Sequence, residues 1–106
     1  MLVILVLFAL LSSGDSVLVS RFRVIRTYAT DPAAFTQGLA FDGDSLVHGT
    51  GLWGASTLRR VSLDSENGTT RITQMRVLPR EVFGEGVTIL KDSVFQLTYL
   101  DGFAYE

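Results

Sequence analysis

The strongest constraint on this chain is that it repeats itself. Setting Phe83 beneath Phe35, an offset of 48 residues, also aligns Gly38 with Gly86, Asp44 with Asp92, Ser45 with Ser93, Thr50 with Thr98, Leu52 with Leu100 and Gly54 with Gly102. Self-similarity at such a spacing means one supersecondary unit used more than once, so the content of the unit decides the architecture. From Val17 onward that content is short strands separated by turn residues, with no apolar stripe of helical period. Phe22, Val24, Ile25 and Tyr28 predict a first strand, ending at the Asp31-Pro32 turn. Leu39–Phe41 and Ser45–His48 predict a hairpin about Asp42-Gly43-Asp44, Thr57–Leu63 a further strand, and the alternating run Ile72–Leu78 another. The expected fold class is therefore all-β, with each repeat a four-stranded propeller blade. A ring needs at least four blades, so residues 15–106 read as the N-terminal part of a propeller, about its first two blades.

Leu2–Leu11 is uninterrupted apolar sequence followed by Ser12, Ser13 and Gly14. A run of this length is too short to span a bilayer, which takes roughly 20 helical residues. With small residues ahead of Asp15, residues 1–14 are expected to be a signal peptide, an uncleaved signal anchor being the rival reading. The destination would be the secretory pathway and the extracellular space, or the periplasm in a bacterium. Asn67-Gly68-Thr69 is an N-glycosylation sequon. Nine basic against eleven acidic residues give a net charge of −2, which offers no basis for a nucleic-acid or anionic-membrane partner. The chain contains no cysteine, so disulfides, thiolate metal sites and cysteine nucleophiles are excluded. His48 is the one histidine; alone it makes neither a metal site nor a triad.

Three segments carry a family resemblance. Asp31-Pro32-Ala33-Ala34-Phe35-Thr36-Gln37-Gly38-Leu39 resembles the first signature of the plant-type and bacterial glutaminyl cyclases, the glutaminyl-peptide cyclotransferases. Thr50-Gly51-Leu52-Trp53-Gly54, then Ser56, resembles the second, where an aromatic between Leu and Gly is usual. Phe83-Gly84-Glu85-Gly86 resembles the third, followed by Gln96-Leu97-Thr98. The resemblance runs from about residue 22 to 106. It implies a five-bladed propeller with the active site at the mouth of the central channel, a monomer when full length, and no required cofactor; a structural calcium is left open.

By that resemblance the chain converts the N-terminal glutamine of peptides and proteins to pyroglutamate with release of ammonia. The free α-amine attacks the side-chain amide carbonyl, so the enzyme has to fold the substrate and move protons. One carboxyl group can perform both transfers, and Glu85 is the candidate, its two flanking glycines allowing a sharp turn. Gln37 precedes it by 48 residues and is expected to face the same axis, where its amide can pair with the substrate amide. Phe35, Phe83 and Tyr99 are the remaining candidate substrate-binding residues, Tyr99 standing where the family usually has Trp. Two other functions stay open: a propeller that binds peptides without catalysis, and an inactive truncated product. Trp53 is expected to pack or to lie at a rim.

Overall fold

A computed structural model of the chain describes residues 19–106. The expected signal peptide lies outside the described residues. Seven strands are present: β1 (Thr36–Asp42), β2 (Ser45–Thr50), β3 (Thr57–Asp64), β4 (Thr69–Val77), β5 (Gly84–Leu90), β6 (Ser93–Thr98) and β7 (Ala104–Tyr105). They form two antiparallel meanders, β1-β2-β3-β4 and β5-β6-β7, and no helix occurs among the described residues. The 48-residue offset holds strand by strand, since both ends of β5 and of β6 lie 48 residues beyond those of β1 and β2. It holds in the backbone too. Gly43 and Lys91, repeat partners in the two-residue hairpin loops, have φ of 59° and 56°, and Gly54 and Gly102 have 75° and 71°.

The predicted strand through Phe22, Val24, Ile25 and Tyr28 is absent. Only Ala29, just beyond it, makes a parallel bridge to Thr69, through Ala29 N–H to Gly68 O (2.8 Å) and Thr70 N–H to Ala29 O (3.0 Å). The residues before it are largely exposed, Phe22 at 92%. Side-chain β propensity reflects fit to a pleated, half-buried surface, and this segment has no neighbouring ladder to supply one.

Register explains how the sheets meet. The face of the first sheet turned to the second carries Gly38, Ala40, Gly49 and Val47, paired as Gly38↔Gly49 and Ala40↔Val47. Its small residues admit close backbone approach: a β-carbon at Gly38 would overlap the Val87 amide nitrogen, and one at Gly49 would lie 3.0 Å from the Glu85 carbonyl oxygen. The opposite face carries Leu39, Phe41, Leu46, His48 and Val61, partly covered by Arg26 and Tyr28.

Among the described residues the fully buried apolar side chains are Val47, Val61, Leu78 and Val82, whereas His48, Thr50, Ser56, Thr57 and Gln96 are buried polar ones. The contact between the sheets is therefore bonded as well as packed. Within the first sheet Thr50 Oγ1 lies 2.7 Å from Thr57 Oγ1 and accepts from Thr57 N–H at 2.9 Å, and from the second sheet Gln96 Nε2 donates to Thr57 O at 3.4 Å. A buried polar group needs such partners because leaving one unpaired costs roughly 1–3 kcal/mol. Gln96 Oε1 has no donor among the described residues.

Candidate active site

The first strand of each sheet bulges at the same place. Thr36 pairs with Thr50 and Gly38 with Gly49, so β1 carries one extra residue, Gln37. Gly84 pairs with Thr98 and Val87 with Gln96, so β5 carries one extra residue within Glu85-Gly86. A bulge breaks the ladder locally and re-aims a side chain, the usual device where a strand must present a group out of register. Glu85 lies inside β5 at this bulge and not on the sharp turn that its flanking glycines suggested, since neither Gly84 nor Gly86 has a positive φ; its side chain is half-buried and, among the described residues, has no ion-pair or hydrogen-bond partner.

Residues 35 and 83 close the equivalent ends of these strands. Gly51 N–H donates to Phe35 O (2.8 Å) and Tyr99 N–H to Phe83 O (3.1 Å), again a pair of bonds 48 residues apart. The two positions that follow differ in size. At Gly51 an ideal β-carbon would lie 2.7 Å from Phe83 Cζ and 3.0 Å from Gln37 Cγ, so the missing side chain makes room for the Phe83 ring and the Gln37 stem together. At Tyr99 the backbone instead carries a ring. Phe83 is the hub of an aromatic cluster, with centroid distances of 6.3 Å to Phe35, 5.0 Å to Trp53 and 5.9 Å to Tyr99; Trp53 and Tyr99 are 6.2 Å apart. Edge-to-face pairs of this kind contribute about 0.5–1.5 kcal/mol each beyond their buried area. Phe83 thus brings Phe35 and Tyr99 into one cluster, with Gln37 beside Phe83 over Gly51 and Glu85 two residues beyond Phe83. Trp53 joins them, packed and at the same time exposed.

The supporting residues are polar. Ser56 Oγ accepts from Gly84 N–H (2.9 Å) and donates to Leu52 O (2.7 Å), while Ser56 O accepts from Leu78 N–H (2.9 Å). One buried serine therefore joins the loop carrying Trp53 to the start of the strand carrying Glu85. Asp31 opens the first motif as a brace: Oδ2 accepts from Arg59 Nη1 at 2.8 Å and Oδ1 from Ala33 N–H at 2.9 Å. These bonds hold its carboxyl below the usual range, the Arg59 guanidinium being the main cause. His48 contacts Thr36 Oγ1 through Nε2 at 2.8 Å, and burial, then the Arg59 charge, lowers its pKa. Asn67 lies on an exposed turn, its Nδ2 donating to Asp64 Oδ2 at 2.7 Å. That bond is the main cause lowering the Asp64 carboxyl. Among the described residues no group of three His, Cys, Asp or Glu side chains could hold a metal ion.

Residues 2–106 match the family model for glutamine cyclotransferase. The chain is 36% identical over 102 residues to the glutaminyl-peptide cyclotransferase of Arabidopsis thaliana, an alignment covering 90% of this chain and 31% of that relative.

Proposed function

This chain belongs to the glutamine cyclotransferase family, and from that membership we propose that it supplies the Gln37 and Glu85 side of an active site that turns the N-terminal glutamine of peptides and proteins into pyroglutamate, releasing ammonia. The observation that carries the reading is the pair of bulges, one at Gln37 and one at Glu85-Gly86, beside the ring cluster around Phe83. In this reading the two sheets are successive blades of a five-bladed propeller, with β1 and β5 nearest its axis. The repeated strand bounds and the close face-to-face approach at Gly38 and Gly49 support that arrangement.

The reaction forms a bond between the substrate α-amino nitrogen and its own side-chain carbonyl carbon, and breaks the bond from that carbon to the amide nitrogen. One proton has to leave the attacking amine and one has to reach the departing nitrogen. Glu85 accepts the first and delivers the second, ending in the protonation state in which it began. Gln37, with a donor and an acceptor on one group, holds the substrate amide. Phe35, Phe83 and Tyr99 are rigid walls that keep the glutamine side chain curled toward its amine, replacing a search over conformers by a near-attack arrangement. The test is Glu85→Gln in the intact protein, with ammonia release followed on a glutaminyl peptide. Turnover should fall about 10²–10⁴-fold, the usual weight of a general acid–base group, with unchanged thermal unfolding. A variant that keeps a near-normal rate removes Glu85 from the chemistry.

A further inference from the structure

Trp53 stands at the tip of the β2–β3 loop with 60% of its surface exposed, even though its ring packs edge-on against Phe83 and Tyr99. An indole recruited only for packing would be largely covered. The backbone around it is also unusual. Leu52 has φ of 85°, a left-handed value that side-chain-bearing residues rarely adopt, and Gly54 has 75°. Ser56 holds Leu52 O by a hydrogen bond of 2.7 Å. Strained backbone that persists under such restraint marks places where a side chain has to be presented. The repeat architecture does not itself require an aromatic there, since the residue 48 positions later is Asp101.

Cyclisation requires only the first residue of a peptide to be enclosed, and the rest of the chain has to leave toward solvent. Among the four clustered rings Trp53 is the most exposed, ahead of Tyr99 at 56% and Phe35 at 50%, so a departing peptide meets it at the rim. We infer that Trp53 is a specificity-determining residue that contacts the side chain following the N-terminal glutamine and favours an aromatic there. The inference rests on the cyclisation reading for the identity of the substrate, and on the ring geometry for the contact itself.

In the intact protein, calorimetric titration with Gln-Phe-Ala amide should give a dissociation constant about fivefold lower than with Gln-Gly-Ala amide, a ratio worth about 1 kcal/mol where a tenfold change is worth about 1.4. In Trp53→Ala, calorimetric affinities for the two peptides should converge to within about twofold, whereas Trp53→Phe, which keeps a flat ring, should retain the preference. In the intact enzyme Trp53→Ala should raise KM for the Phe peptide about fivefold with kcat unchanged. Equal affinities in the intact parent protein, a preference that survives Trp53→Ala, or its complete loss in Trp53→Phe overturns the inference. Cyclisation that continues without any second-residue preference sinks Trp53 alone. A Trp53-dependent preference in a protein that cyclises nothing sinks the enzymatic reading and leaves the contact standing.

Discussion

The two sheets share a backbone and differ in what they attach to it. Gly38 and Gly86 are repeat partners at the two bulges, and a side chain at Gly38 would collide with the backbone of the neighbouring sheet. His48 and Gln96 share another position; both are buried, one bonded to Thr36 within its own sheet and the other reaching across to Thr57. Gln37 and Glu85 share the bulge itself, an amide on one sheet and a carboxylate on the other. Gly51 and Tyr99 share a backbone hydrogen bond, one leaving space for a ring and the other providing one. A duplicated unit supplies two similar frames, and the chemistry comes from the positions at which the copies have parted.

That comparison can be broken most sharply at its glycines. Gly38→Ala should cost about 2–3 kcal/mol or more, because backbone rather than a flexible side chain must give way. Urea unfolding measures the loss, and an unchanged stability would show that the sheets do not meet as described. Ser56→Ala should cost about 1–2 kcal/mol by stripping the buried Gly84 N–H of its acceptor, and Ser56→Thr should recover part of it, both read by the shift in denaturation midpoint. At the hairpin loops, Lys91 adopts the left-handed backbone that its partner Gly43 takes freely. Lys91→Gly should therefore gain about 0.5–1 kcal/mol, and Gly43→Ala should lose about as much.

The smallest expected effect concerns pH. Burial and Arg59 keep the folded-state pKa of His48 below its ordinary value, with Asp31 opposing more weakly. The unfolded chain binds the proton near pH 6.5 and the folded chain resists it. Stability is thus complete above about 6.5 and declines as pH falls below that value. His48→Gln, which installs the residue found at position 96, should flatten that part of the stability profile. The lowered carboxyls of Asp31 and Asp64 act further down, contributing above about pH 4 and losing their contribution as pH falls through their folded values. A variant whose profile matches the parent between pH 7 and 5 would show that His48 is not the titrating group.

Much of this frame was legible in the residues because repetition is a statement about backbone. The offset read from Phe35 and Phe83 carries β1 and β2 onto β5 and β6, and turn residues marked the first hairpin, although its strands run longer than the residues suggested. The stretch from Phe22 to Tyr28 misled because apolar and β-branched residues describe a surface that suits a strand without providing the strand beside it. Of the candidate site, Gln37, Glu85, Phe35, Phe83 and Tyr99 were named through the family resemblance. That Trp53 would pack or lie at a rim was expected, but which rings it meets was not, since its neighbours are set by the left-handed turn at Leu52. Ser56, Thr57 and Gln96 were hidden for another reason: periodicity arguments assume that what is buried is apolar, and here part of the contact between sheets is polar.

That polar contact decides how the sheets can move. Oily surfaces slide past one another at little cost because every offset offers similar contacts, but hydrogen bonds have direction and fixed partners. The bonds from Ser56 to Gly84 and from Gln96 to Thr57 act as the teeth of a keyed joint. A shift of one residue would disengage both at once, so the spacing between the amide and the carboxylate is indexed in discrete steps and does not drift.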